Sequence, residues 1–207
     1  MFPEGFGIDI FITTTAIVEN MRIIETRLGY KIHTSTRQYE DFEKFLIPMF
    51  DQSVRTMLDL TYHNIEFLKG VSEIKDVEKF GVDINNNNNN NHLRVNLESL
   101  TERFRKEYEE VKGSDLLSDT TKSRLDYSVN HGCMVPVDVW ADCVYDLVSH
   151  YMENKERVMR ELRILWIGRY ISFLRETEGK TEEEAEDVLR RQIDVFAERK
   201  SRFLKGL

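Results

Sequence analysis

The stretch ENKERVMRELRILWIGRYISFLRETE, residues 153–178, decides how the rest of the chain is read. Its apolar residues repeat at helical spacing on two sides. Val158, Leu162, Leu165, Trp166 and Phe173 mark one face, and Ile164, Ile167, Ile171 and Leu174 a second. A helix that is apolar on two sides needs neighbours on both, which makes this one the centre of a helical body.

Working outward, Thr181 follows Gly179, and Glu184 stands three residues further on. This is a capping box, and it opens a last helix along which Ala185, Leu189, Ile193, Phe196 and Phe203 follow. Upstream, Val137–Met152 reads as a helix started by Pro136, and Leu97–Val111 as a charged amphipathic helix ending near Gly113. Further upstream, Met49, Phe50, Val54, Met57, Leu58, Tyr62 and Ile65 predict a helix from Pro48 to about Leu68. A short separate helix over Glu40–Ile47 is expected before it, because proline is tolerated in a first helical turn and not deep inside one. Asn85–Asn91 is a low-complexity loop. Lengthening a loop is inexpensive, at about 0.6 kcal/mol per doubling.

The first residues differ in character. Ile8–Asn20 carries an approximate helical stripe, entered through the flexible Gly5-Phe6-Gly7 turn and weakened by the β-branched run Ile12-Thr13-Thr14-Thr15. Arg22–Leu28 reads as a strand, Gly29 as a turn and Tyr30–His33 as a second extended piece. The expected fold class is therefore mainly α, with a short α/β segment at residues 1–37 and a helical domain over 38–207.

Composition narrows the function. The chain has 207 residues and a formal net charge of -8, so nucleic-acid binding has no electrostatic support. The first residues lack a basic segment followed by an apolar run, and no apolar stretch reaches the 18 or so residues that span a bilayer. A cytoplasmic protein without a membrane partner is expected. Cys133 and Cys143 lie ten residues apart and read as reduced and structural, not as a disulfide framework or a zinc knuckle.

No phosphate-cradling glycine motif, HExxH or GxSxG is present, and there is no Asp-x-Asp pair. His33, His63, His92, His131 and His150 are scattered, so a zinc cage built by this chain alone is not expected. Two readings stand open for Asp9. As a carboxylate at a helix start it is favoured by the dipole and the free amides, and as a group beside a glycine turn it can face a ligand. His33, closing an extended run, reads as a surface histidine or as a ligand. Asp138, Asp142 and Asp146, four apart, make either a solvated acidic stripe or a cation site, the stripe being the ordinary outcome. Trp140 with Tyr145, and Trp166 with Tyr170, read as core in preference to a sugar-stacking platform.

Several strings carry a resemblance: GFGIDIFITTTAIVEN (5–20), LGYKIH (28–33), LIPMFDQSVRTML (46–58), VDVWADCVYDLVSHY (137–151) and RILWIGRYISFLRETEGKTEEEAEDVLRRQIDVFAERKSRFL (163–204). Together they resemble the C-terminal half of the glucosyl-3-phosphoglycerate, glucosylglycerate and mannosylglycerate synthases, retaining glycosyltransferases of GT-A fold. The resemblance spans most of the chain apart from roughly residues 70–130. It implies that residues 1–37 close a GT-A catalytic domain and that 38–207 form that family's helical C-terminal domain. It implies a hexosyltransferase that moves glucose or mannose from a nucleotide-sugar donor to a small anionic acceptor, glycerate or 3-phosphoglycerate. The nucleotide-binding N-terminal half and its Asp-x-Asp metal motif are not in this sequence, so the chain alone is expected to be inactive.

On the same footing, Asp9 lines the donor-sugar site as the catalytic carboxylate. Gly7, Lys31 and Arg37 contact substrate, and His33 joins the absent aspartates in holding Mn²⁺ or Mg²⁺. Such an ion would stabilise the leaving diphosphate. A homodimer is also implied. Ile47, where the family often has a small residue, and Asp51, where it often has a basic one, depart from the pattern. The alternative is a non-catalytic helical interaction or dimerisation module built on the same scaffold.

Overall fold

The computed structural model describes residues 5–27, 42–73, 77–81, 95–132 and 134–205. It is mainly helical, with one two-stranded parallel sheet among the described residues. The backbone falls into two compact units, Met1–Val95 and Asn96–Leu207. The expected domain boundary at 37/38 and the asparagine loop at 85–91 lie outside the described residues.

In the first unit, a 3₁₀ turn over Gly5–Gly7 leads into helix α1, Ile8–Val18. Strand β1, Ile24–Arg27, follows and pairs in parallel with β2, Glu78–Gly81, setting Ile24 opposite Glu78. Arg22 reinforces the pair by donating to Glu78 Oε2 at 2.7 Å. The strand is shorter than Arg22–Leu28, and its partner, four residues reading EKFG, has no periodicity by which to find it.

Helix α2, Ile47–His63, has Pro48 in its first turn, where the missing N–H is not required. The separate short helix expected before it is instead a π-helical turn, Phe42–Leu46, running directly into α2. At the other end α2 stops earlier than expected. Asn64 donates both its backbone N–H (3.0 Å) and its side-chain amide (2.8 Å) to the Leu60 carbonyl, closing the helix. The chain then restarts as α3, Ile65–Gly70.

The second unit holds almost all of the described core: of the buried apolar residues only Ile47 and Leu58 lie elsewhere. It comprises α4 (Leu97–Val111), α5 (Asp119–Asn130), α6 (Val137–Ser149), α7 (Lys155–Thr177) and α8 (Glu182–Lys205). Helix α7 is the centre, as its two apolar faces require. Helices α4 and α6 pack against it, and Val158, Leu165, Ile167 and Ile171 are fully buried. Close approach is possible because α7 carries Gly168, where an added Cβ would come within 2.4 Å of Phe104 Cζ and 2.7 Å of Val135 Cγ2. Side-chain caps set the helix starts. Asn96 accepts from the Ser99 N–H at 3.0 Å, and Ser118 from the Thr121 N–H at 3.3 Å. The capping box forms as read: Thr181 N–H donates to Glu184 Oε2 (2.8 Å) and Glu184 N–H to Thr181 Oγ1 (3.3 Å).

Candidate functional site

The stretch that carries the resemblance at the start of the chain is fixed by the helix that carries it next. Phe6 N–H donates to Gln52 Oε1 at 2.9 Å, and Ser53 Oγ donates to the Phe6 carbonyl at 3.3 Å. Gly5 has φ +70°, the left-handed region that suits glycine. Gly7 is buried and lies so near α2 that a Cβ there would meet Thr56 Oγ1 at 2.2 Å. Glycine at 5 is thus demanded by backbone geometry, and at 7 by contact. Gln52, Ser53 and Thr56, at helical spacing on one side of α2, are positioning residues that the sequence reading did not single out.

Clamped in this way, the turn delivers Asp9 on the first turn of α1, exposed to solvent. The helix N-cap position is Gly7, with no side-chain cap, so Asp9 is not the cap itself. The positive end of α1 still favours its charge. Its carboxylate makes no hydrogen bond or ion pair among the described residues, leaving both oxygens able to accept from hydroxyl groups. His33, Lys31 and Arg37 lie outside the described residues. Among the described residues no group of three His, Cys, Asp or Glu side chains is placed to hold a metal ion.

The acidic face of α6 is corrected by the structure. Asp142 is 3% exposed, and Asp138 and Asp146 are half-buried. Arg124 of α5 spans two of the acids, Nη1 donating to Asp142 and Nη2 to Asp138. Arg199 of α8 donates its Nε to Asp142 Oδ1 at 2.8 Å. Asp146 Oδ2 accepts from the Ser118 N–H at 3.0 Å, ahead of α5. The trio is neither a solvated stripe nor a free cation site. It is an ionic clip joining three helices, invisible in the sequence because its cations sit 14 to 57 residues away. Beside it, Arg124, Tyr127, Pro136 and Val139 line a shallow groove of about 330 Å³.

Other buried polar side chains of the second unit are likewise hydrogen-bonded. Glu161 accepts from Ser114 Oγ (2.6 Å) and Arg157 Nε (2.8 Å). Buried Arg169 holds Glu176 through two bonds, at 2.8 and 2.7 Å, and reaches the Val135 carbonyl at 3.1 Å. Burial, with the Asp126 carboxylate accepting from its hydroxyl, pushes the Tyr108 phenol above its ordinary value. Burial likewise pushes the Cys143 thiol up, so it is inert as a nucleophile. Tyr145 serves as packing, its hydroxyl bonded to the Phe196 carbonyl at 2.8 Å, and Trp140 and Trp166 are half-buried. No helix among the described residues is long and apolar enough to cross a membrane. Compared with known proteins, the chain matches no family model, no curated protein and no solved structure.

Proposed function

We propose that this chain is the C-terminal part of a nucleotide-sugar-dependent retaining glycosyltransferase that transfers glucose or mannose to a small anionic acceptor, glycerate or 3-phosphoglycerate. One observation carries the reading. Helix α1 is rich in apolar residues yet has no buried residue, and the parallel strands β1 and β2 lie exposed. Parallel strands are ordinarily covered on both faces, and two alone are marginal. An apolar helix with no buried face and bare parallel strands, within one unit, are what part of a larger α/β body presents. Two of the strings resembling the glycosyltransferases, residues 5–20 and 46–58, meet where the Gly5–Gly7 turn is clipped to α2.

In this reading Asp9 accepts hydrogen bonds from donor-sugar hydroxyls near the reacting carbon, held in place by the turn and by Gln52 and Ser53. Lys31 and Arg37 attract the acceptor's charge. The chemistry of an imidazole with aspartates suits Mn²⁺ somewhat better than Mg²⁺, and His33 is the residue of this chain that would hold such an ion. When bound, the ion offsets charge on the departing diphosphate.

The test is co-expression with a GT-A nucleotide-binding half, followed by an assay of nucleoside diphosphate release with each acceptor. Release that needs glycerate or 3-phosphoglycerate, and is reduced by His33→Ala, is expected. A complex that forms but releases nothing with any hexose donor contradicts the reading.

A further inference from the structure

We draw no further inference here: the strongest candidate, the shallow groove between α5 and the start of α6 lined by Arg124, Tyr127, Asp138 and Val139, has its two charged side chains bonded to each other, and nothing in the structure shows what occupies it.

Discussion

Asp142 and Gly168 show how much of the second unit hangs on single positions. Asp142 is a buried carboxylate satisfied by two arginines from different helices, and removing it takes this partner from Arg199 and leaves Arg124 with Asp138 alone. Breaking such a buried arrangement from one side costs about 3 kcal/mol, so Asp142→Ala should lower the unfolding free energy by that amount, read as a lower denaturant midpoint at unchanged slope. Gly168 fails in the opposite way. Its Cβ would press on Phe104 and Val135, both fully buried, and neither can withdraw. Gly168→Ala should destabilise by about 1–3 kcal/mol through overpacking, against the usual gain from alanine in a helix. A stable Gly168→Ala variant in a chemical melt would mean that α4 and α7 do not approach this closely.

Among the elements, legibility followed periodicity. Helix α4 was found residue for residue, and α6 and α7 to within a turn, because their apolar spacing is strong and their starts are marked. Helix α5 was missed. It buries only Thr121, Leu125 and Val129, and its clearest marker is the Ser118 cap. Strand β2 has no apolar alternation, and the role of Arg124 and Arg199 depends on tertiary placement that spacing cannot reveal. The glycines at 5 and 7 were legible as a turn, but not the reason for the second one, which is the Thr56 contact. Leu189 and Ile193 belong to the last helix as read, and both are exposed.

The first turn of α8 adds a pH dependence. The Thr181 backbone N–H, and then its hydroxyl, hold the Glu184 carboxyl below its ordinary value of 4.5. A lowered folded value means that the capping box stabilises the helix above pH 4.5 and loses that contribution as pH falls through the folded value. Helical circular dichroism of the wild type should therefore decline in this acid range by more than that of Glu184→Gln, and equal declines would count against the box.

At the scale of the whole molecule, the two units differ in self-sufficiency. Residues 96–207 contain a closed core around α7, so that fragment should fold alone, with a cooperative melt and strong helical circular dichroism. Residues 1–95 bury few side chains among those described, and should melt without a clear transition. A cooperative transition in the 1–95 fragment would show that α1 and the parallel pair need no further α/β body. The most direct measurement for the central claim is the kcat of Asp9→Asn in the complex with a nucleotide-binding half. The exchange keeps the shape and removes the charge at an exposed residue. A fall of roughly 10²-fold or more at unchanged helicity is expected if this carboxylate faces the donor sugar. A kcat equal to that of the unmodified complex would place the chemistry elsewhere and leave α1 a purely structural helix.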